Sequence, residues 1–318
     1  MAETCQLSLL PAEHARPTLR DVAAAVRVAG LEGLPDARRL ADQARYQEVH
    51  VKSALTAAVG MPFRWALNPY RGCTHACEYC YARKYQRHLE LGAGDDFSGV
   101  IFVKTNLPEA LAREVSRRTW AHEAVAIGTA TDPYQPIEGH YRLTRRSIEV
   151  LTAARTPFHI VTKGPMVVRD TDVLVDATRH AGCRVYMSVP SVDETAWARL
   201  EPGTAPPAQR LRAVRHLRDA GVEAGVLMMP LVPGVTTLRS SIERTLQAIA
   251  DAGATFVGTN VAHLEDGVRE HFFAFLGREY PHLLEGYRRL YTRGYAPKGY
   301  VAEIESIVTA AAARLGLS

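Results

Sequence analysis

From about residue 64 onwards, the chain of 318 residues alternates short β-rich segments with longer amphipathic segments. Strands separated by helices are typical of parallel sheets built from βα units, so this alternation constrains the fold strongly. The segments with strand composition are RWAL near 64, GVIFVK near 99, AVAIGT near 124, FHIVTK near 158, RVYMSV near 184, EAGVLMM near 223 and TFVGT near 255. Helices are predicted between them over Pro108 to Thr119, Arg142 to Ala154, Asp170 to Ala181, Pro207 to Ala220 and Leu238 to Asp251. Six or seven such units predict an α/β fold, a partial or complete βα barrel of the TIM-like kind.

The segments on either side of this predicted barrel, residues 61–263, have a different composition. Residues 1–60 are rich in alanine and predict an N-terminal helical extension, with helices at about Leu19 to Val28 and Asp36 to Glu48. Residues 264–318 predict a C-terminal helical segment packed on the barrel. It carries the aromatic residues Phe272, Phe273, Phe275, Tyr280, Tyr287, Tyr291 and Tyr295. Aromatic residues at helical spacing favour core packing, and a surface that faces the substrate is the alternative.

The overall composition is that of a globular protein, with 47% hydrophobic and 23% charged residues. No apolar run of about 18 residues occurs, and the first residues lack a secretory signal pattern, so we expect a cytoplasmic protein without a membrane partner. The formal net charge of +4 permits a phosphate-bearing partner but does not predict one. Arg142, Arg145 and Arg146 form a candidate phosphate-facing patch, for which a solvated helix face is the alternative.

Three of the five cysteines lie within eight residues, in the segment CTHACEYC. An odd, clustered set argues against a disulfide framework and favours metal chemistry. Three thiolates on one compact loop are suited to an iron–sulfur cluster, in which they leave one iron open for another ligand. Zinc bound with one of His75 or His88 is an alternative, although the second pair of ligands usual in structural zinc sites is missing. Three inert, buried thiols are the other alternative.

Polar residues that could take part in catalysis or ligand binding follow several of the predicted strands. Cys73 follows the first strand, Thr129 to Asp132 follow AVAIG, Lys163 ends FHIVTK and Ser188 ends RVYMS. In βα barrels the active site lies at the carboxyl ends of the strands. The sequence therefore predicts one site at that end of the barrel. Cys183 begins a strand instead, so we expect it to face away from this site.

The segment NPYRGCTHACEYCYAR resembles the radical S-adenosylmethionine (SAM) superfamily. The resemblance implies that Cys73, Cys77 and Cys80 bind a [4Fe-4S] cluster and that SAM is the second cofactor. It also implies reductive cleavage of SAM to a 5'-deoxyadenosyl radical that abstracts hydrogen from the substrate. A reducing partner such as flavodoxin or ferredoxin is then expected.

A narrower resemblance covers about residues 65–300 and is to the spore photoproduct lyase-like branch, most of all to a subgroup common in actinobacteria. The segments that carry it include GTATDPYQPIE, VTKGPMVVRD, SVPSVD, LMMPLVPGVT and YAPKGY. The resemblance implies cofactor contacts by Tyr79, Thr129, Thr131, Asp132, Lys163, Ser188, Arg199 and Glu201. Turn capping by Asp132, a solvent-directed Lys163 and a surface ion pair between Arg199 and Glu201 are the alternatives.

One position departs from spore photoproduct lyase in a way that matters for mechanism. The lyase loop that corresponds to GTATDP contributes a cysteine that returns a hydrogen atom to the substrate, and this chain has Thr129 there. Threonine is a poor hydrogen-atom donor because its bonds to hydrogen are strong. Tyr79, Tyr81 and Tyr134 are candidate catalytic substitutes, and packing is the alternative for each. With only Cys5 and Cys183 remaining, auxiliary clusters are disfavoured.

Three functions follow from these patterns. The first is a lyase-like radical SAM enzyme that acts on a nucleobase or nucleic acid. The second is a radical SAM enzyme that modifies a small metabolite or peptide. The third is a non-enzymatic iron–sulfur or zinc protein that binds nucleic acid, which would leave GTATD and Lys163 without a role. Salt-sensitive binding to oligonucleotides would distinguish the first from the second.

Overall fold

The computed structural model describes residues 44–265 and 267–317. In chain order its strands are β1 (Arg45–Val49), β2 (Leu55–Ala57), β3 (Trp65–Leu67), β4 (Tyr70–Arg71), β5 (Val100–Lys104), β6 (Val125–Ile127), β7 (Phe158–Thr162), β8 (Cys183–Ser188), β9 (Glu223–Leu231) and β10 (Val257–Val261). The main sheet has the order β10-β9-β8-β7-β6-β3-β2. Strands β3 to β10 of this sheet are parallel, and β2 pairs antiparallel with β3. The predicted α/β fold is confirmed as an open, partial barrel whose edge strands are β10 and β2.

One predicted barrel strand belongs to a different sheet. The segment GVIFVK forms β5, but β5 pairs with β1 and β4 in a separate three-stranded sheet. Within residues 44–317 as described, the barrel therefore has six parallel strands in place of the seven that the alternation allowed. A buried strand with apolar residues on both faces has the same composition in either sheet, which is why the sequence did not separate the two cases.

The predicted helix from Asp36 to Glu48 is wrong at its carboxyl end. Arg45–Val49 is strand β1, and each of its residues pairs in parallel register with a residue of β5. Val49 is fully buried by this pairing, so the tertiary ladder overrides the local helical pattern. The extension is consequently not purely helical in the part that is described, and the predicted helix from Leu19 to Val28 lies outside the described residues.

Helices follow the barrel strands as predicted. They are α1 (Asp95–Gly99), α2 (Leu107–Val115), α3 (Glu138–Tyr141), α4 (Leu143–Ala153), α5 (Thr171–His180), α6 (Glu194–Leu200), α7 (Pro207–Asp219), α8 (Arg239–Asp251), α9 (Val268–Glu279), α10 (Pro281–Leu290) and α11 (Lys298–Arg314), with 3-10 helices at Tyr81–Leu89 and Pro165–Asp170. Gly182, Gly221 and Gly253 follow α5, α7 and α8 with positive φ, as expected for left-handed carboxyl-terminal caps. The five helices predicted between the strands are present with ends shifted by a few residues.

The C-terminal helices α9 to α11 pack against the open barrel. Phe272, Phe275, Tyr287 and Tyr291 are buried in the main core, which confirms core packing for these four aromatic residues. The Tyr287 hydroxyl donates to the carbonyl of Pro233 at 2.7 Å, and the Tyr291 hydroxyl donates to that of Ala262 at 2.6 Å. These bonds fix the helices next to the ends of β9 and β10. Within the described ranges, no helix has both the length and the apolar character needed to cross a bilayer.

Candidate active site

The three clustered cysteines lie on one loop, residues 72–80, between β4 and the 3-10 helix that begins at Tyr81. The backbone N–H of Ala76 donates to the carbonyl of Cys73 at 3.2 Å, and that of Cys80 donates to Cys77 at 3.2 Å. Ala76 adopts a left-handed conformation with φ of 52°. Two successive turns therefore compress this cysteine loop.

The cysteine loop is supported by a glycine and a buried arginine. Gly72 has φ of 82°, and a Cβ atom there would lie 2.5 Å from the carbonyl oxygen of Val100, so a side chain does not fit. The buried Arg83 guanidinium donates to the carbonyls of Cys77 at 3.0 Å and Ala76 at 2.8 Å. A charged group hydrogen-bonded to buried carbonyls is a strong restraint, so Arg83 stiffens the loop. Sequence reasoning did not single out Arg83.

Gly203 brings the segment after α6 into contact with the cysteine loop, and this gives a first prediction. A Cβ at Gly203 would lie 2.1 Å from the Thr74 carbonyl oxygen and 2.9 Å from the His75 Cα. Gly203→Ala is therefore expected to displace the loop and to lower the unfolding free energy by about 1–3 kcal/mol. Iron content after reconstitution and urea unfolding measure the two effects. Gly286→Ala is the matched control, since its Cβ would meet open space on α10. Equal iron content in both variants would contradict the prediction.

The donor set of the loop fits an iron–sulfur cluster. Cys73 and Cys77 are each 6% exposed, and burial raises the pKa of both thiols, that of Cys77 to about 12. A thiolate at these positions needs a positive partner, which bound iron supplies. Among the described residues, no three His, Cys, Asp or Glu side chains are grouped to hold a single metal ion. A cluster does not need such a grouping, because each thiolate binds a different iron.

Asp132 connects three parts of the site. Its carboxylate accepts hydrogen bonds from the Thr162 hydroxyl at 2.6 Å and the Lys163 backbone N–H at 2.6 Å. It also accepts one from the Tyr134 N–H at 2.9 Å and lies 3.2 Å from His75 Nδ1. Burial raises the pKa of Asp132, but the nearby His75 and these hydrogen bonds lower it more, to about 2. An ionised carboxylate thus ties the loop after β6 to the end of β7 and to the cysteine loop.

Thr131 also supports the cysteine loop, together with a glutamine that the sequence reasoning missed. The buried Thr131 hydroxyl donates to the carbonyl of Gly72 at 2.6 Å. Gln135 donates from Nε2 to the Thr131 hydroxyl at 3.1 Å, and its Oε1 accepts from the Thr74 N–H at 3.1 Å. Thr131 and Gln135 therefore position the loop from the β6 side.

Thr129 lies at the half-exposed rim of the same region. Its backbone carbonyl accepts a hydrogen bond from the Tyr81 hydroxyl, and its own hydroxyl is 3.4 Å from Asn68 Nδ2. Asn68 Oδ1 accepts from the Ala130 N–H at 2.8 Å. Asn68 directly follows β3, the first barrel strand, and this position at a strand's carboxyl end could have indicated its role.

Lys163 and Ser188 meet next to the cysteine loop. The Lys163 ammonium donates to the Ser188 hydroxyl at 2.8 Å and lies 3.7 Å from Glu201 Oε1. It also lies 5.7 Å from the centre of the Tyr79 ring, and the Tyr79 hydroxyl donates to Glu201. The structure therefore brings together four of the predicted cofactor contacts.

Arg210 completes this buried network, although it was not among the residues singled out from the sequence. Its fully buried guanidinium pairs with Glu201 and donates to the Thr204 hydroxyl at 2.7 Å and to the Ser188 carbonyl at 2.9 Å. Burial lowers the pKa of Lys163, but attraction to Glu201 and to the Cys77 thiol raises it more, against an opposing effect of Arg210. Burial raises the pKa of Glu201, but the charges of Arg210 and Lys163 lower it more. The resulting pKa of Lys163 is raised and that of Glu201 is lowered. All three groups are charged, which leaves a net positive charge beside Cys77.

Other residues singled out from the sequence lie elsewhere. Arg199 does not pair with Glu201; it lies 3.6 Å from the Glu279 carboxylate and stacks over the Tyr280 ring. This corrects the expected Arg199–Glu201 pair, because Arg199 lies on the solvent side of α6 whereas Glu201 points inward. Cys183 is buried at the first residue of β8, at the opposite end of the strands, as expected.

The candidate phosphate patch on α4 is largely neutralised. Arg145 pairs with Asp172 at 2.6 Å and with Asp170 at 3.3 Å, and Arg146 pairs with Glu109. These carboxylates come from neighbouring helices, which a sequence pattern on one helix does not reveal. We therefore correct the interpretation of this arginine run as a phosphate-facing patch.

Comparison with known proteins agrees with this geometry. Residues 67–238, more than half of the chain, match the family model of the radical SAM superfamily. The chain belongs to the radical SAM superfamily. It is therefore a radical SAM enzyme with a [4Fe-4S] cluster and SAM as cofactors. The interpretation as a non-enzymatic binding protein is set aside.

Several known proteins are similar to this radical SAM enzyme. An uncharacterized protein of Mycobacterium tuberculosis is 39% identical over 263 residues, which cover 81% of this chain and 77% of the relative. A radical SAM Nalpha-GlyT isomerase of a Pseudomonas phage is 26% identical, over 59% of this chain and 37% of the relative. The structure of spore photoproduct lyase complexed with dinucleoside spore photoproduct matches with a TM-score of 0.69 and 18% identity. That match covers 89% of this chain and 84% of the lyase, and it shows a shared fold.

Proposed function

We propose that this enzyme abstracts a hydrogen atom from a nucleobase in DNA or RNA. The observation that carries the proposal is the extent of the fold shared with spore photoproduct lyase, one structure of which is complexed with dinucleoside spore photoproduct. The shared fold covers 89% of the chain and so includes segments beyond the family-wide residues 67–238.

The residues of the site have distinct roles in this proposal. Cys73, Cys77 and Cys80 hold the cluster. When bound, the cluster and SAM supply a 5'-deoxyadenosyl radical by reductive cleavage, with an electron from a partner such as flavodoxin or ferredoxin. Lys163 is charged and 15% exposed, so it is suited to bind a carboxylate or ribose oxygen.

The remaining proposed cofactor residues act by orientation. Ser188 accepts a hydrogen bond from the Lys163 ammonium. Glu201 balances part of the Lys163 charge and accepts a hydrogen bond from the Tyr79 hydroxyl. Asp132 fixes the backbone of Lys163, and Thr129 is left half-exposed at the rim. This arrangement restrains the groups around the reacting atoms before any substrate binds, which lowers the entropic cost of reaction.

The return of a hydrogen atom differs from the lyase. In the described part of the chain the only thiol outside the cysteine loop is Cys183, which lies at the far end of β8. Of the three candidate tyrosines, Tyr134 donates to Asp170 at 3.1 Å and Tyr79 donates to Glu201, so both hydroxyls point into buried networks. The Tyr81 hydroxyl is bonded to the carbonyl of Thr129 at the rim. Tyr81 is therefore the best-placed candidate.

Deuterium transfer tests the proposed substrate class directly. Reconstituted enzyme, dithionite and SAM are incubated without oxygen with perdeuterated nucleic acid, and 5'-deoxyadenosine is analysed by mass spectrometry. We expect 5'-deoxyadenosine to carry deuterium when the deuterated material is the DNA or RNA fraction of the cells that produce this enzyme. The Cys77→Ala variant is the control and should give no 5'-deoxyadenosine. Deuterium that comes only from the small-metabolite or peptide fraction would contradict the proposal and favour the second function.

A further inference from the structure

Three aromatic rings form a continuous array next to the cysteine loop, and we call them the aromatic platform: Tyr81, His263 and Tyr295. The ring centres of Tyr81 and His263 are 5.7 Å apart, and those of His263 and Tyr295 are 5.6 Å apart with planes only 17° from parallel. These separations are those of stacked rings in contact. The planes of Tyr81 and His263 are inclined by 37°, so only the two outer rings of the platform, His263 and Tyr295, are nearly parallel.

Tyr295, the outer ring of the platform, is exposed to solvent. It is 64% exposed, whereas Phe272, Tyr287 and Tyr291 of the same C-terminal segment are buried. The backbone N–H of Leu264 donates to the carbonyl before Tyr295 at 2.6 Å, which holds the ring beside His263. An exposed large aromatic side chain held in a fixed position is suited to contact with a ligand.

The platform begins at the active site and ends at the open edge of the barrel. Tyr81 follows Cys80 directly, and its hydroxyl is bonded to the carbonyl of Thr129. His263 follows the edge strand β10 by two residues. In the main sheet no described strand covers the outer side of β10. His263 and Tyr295 therefore lie beside this edge, on the segments that follow β10 and precede α11.

The charges around the platform favour an anionic ligand with a neutral, flat ring. Arg293 lies on the same loop as Tyr295, and Lys298 is the first residue of α11; both are exposed, and neither forms an ion pair within the described ranges. The carboxylate of Glu265 accepts a hydrogen bond from the Tyr295 hydroxyl at 3.2 Å and is paired with Lys84. Burial lowers the pKa of His263, so its ring is neutral at pH 7 and offers an uncharged stacking face.

We infer that Tyr295 and His263 form a stacking site for an unpaired nucleobase, with Arg293 and Lys298 next to the phosphates of the same strand. Bases of single-stranded nucleic acid stack on exposed aromatic side chains, and basic residues beside them follow the backbone. This inference rests on the proposed function, because it names the part of the enzyme that receives the nucleic acid substrate. It adds a contact outside the cofactor site.

Binding of a short oligonucleotide tests the platform. The reconstituted enzyme is titrated without oxygen into a fluorescein-labelled oligothymidylate of about 8 nucleotides, and anisotropy gives the Kd. We expect Tyr295→Ala to raise the Kd about 10-fold. Tyr295→Phe keeps the ring and should stay within about 2-fold of the wild type. Met61→Ala is the matched control, because Met61 is 53% exposed on the loop before β3, at the other end of the strands.

A ligand without bases separates stacking from simple charge attraction. An abasic oligonucleotide of equal length should bind wild-type enzyme as weakly as the oligothymidylate binds the Tyr295→Ala variant. A parallel titration with a ribo-oligonucleotide shows whether DNA or RNA binds more tightly. Equal affinity for abasic and normal strands, no loss in Tyr295→Ala, or no binding by the wild type would overturn the inference. The readout is binding without turnover, so its result is distinct from that of deuterium transfer. Loss of binding in Tyr295→Ala together with deuterium only from small metabolites would contradict the proposed substrate but not the platform.

Discussion

Replacement of Cys77 by alanine is expected to abolish the cleavage of SAM. Cys77 lies at the centre of the cysteine loop, 6% exposed, with its carbonyl held by Arg83. Without its thiolate the loop offers two ligands, which are too few to hold a cluster with one open iron. Even the loss of a residue that only supports a metal ligand commonly costs about 10–100-fold. We therefore expect 5'-deoxyadenosine formation to fall by more than about 100-fold.

The matched control for Cys77→Ala is Cys183→Ala. Cys183 is buried to the same degree but begins β8 at the far end of the strands. Its replacement removes a small buried side chain and is expected to leave cleavage within about 2-fold of the wild type. Iron and sulfide analysis together with the visible absorption of the reconstituted proteins provide a readout independent of activity. Normal iron content and cleavage in Cys77→Ala would show that these cysteines do not hold the cluster.

The cysteine loop and the barrel strands were predictable from the sequence because their signals are local. The spacing of Cys73, Cys77 and Cys80 and the polar residues that end β6 and β7 specify one end of a parallel sheet. The assignment of GVIFVK to the barrel failed because pairing partners are not encoded in a strand's own composition. The prediction of a helix over Arg45–Val49 failed for the same reason, since the pairing of this segment with β5 is a long-range contact.

Gln135 and Arg210 are polar residues of the site that were not singled out from the sequence. Gln135 joins Thr131 to the cysteine loop across 61 residues, and nothing in its neighbourhood marks it. Arg210 had a detectable signal. It occupies the same face of α7 as the buried Val214 and Leu217, whereas the other arginines of that helix lie on faces that are at least partly exposed. A charged residue within an apolar stripe points to a buried partner, because an unpaired buried charge is very costly.

Replacement of Arg210 by glutamine is expected to destabilise the protein strongly. Arg210 is fully buried and pairs with Glu201, and it also donates to the carbonyls of Ala205 and Ser188 at 2.8 and 2.9 Å. Its loss leaves the Glu201 carboxylate buried with only Lys163 to balance it. Breaking a buried ion pair on one side typically costs about 3–5 kcal/mol, and we expect that loss of unfolding free energy in urea.

Arg199→Gln is the matched control, because Arg199 is an arginine of α6 whose ion pair with Glu279 is exposed. Exposed pairs contribute about 0–1 kcal/mol, so this variant should unfold almost as the wild type does. If Arg210→Gln also unfolds within about 1 kcal/mol of the wild type, the network is not a structural determinant of the site.

The double variant Arg210→Leu with Glu201→Leu separates the cost of leaving the Glu201 carboxylate unpaired from the effect of losing the groups that position Lys163. It removes both charges, so no buried carboxylate stays without its partner, and replacing a buried pair by apolar residues is often close to neutral. We expect it to be more stable than Arg210→Gln and yet to bind SAM less tightly, because Lys163 and Tyr79 lose the carboxylate that orients them. The KM for SAM and the free energy of unfolding are measured for each variant, and comparing the two separates a loss of SAM binding from a loss of stability. A double variant that recovers stability and keeps the wild-type KM would show that Glu201 and Arg210 stabilise the fold without positioning Lys163.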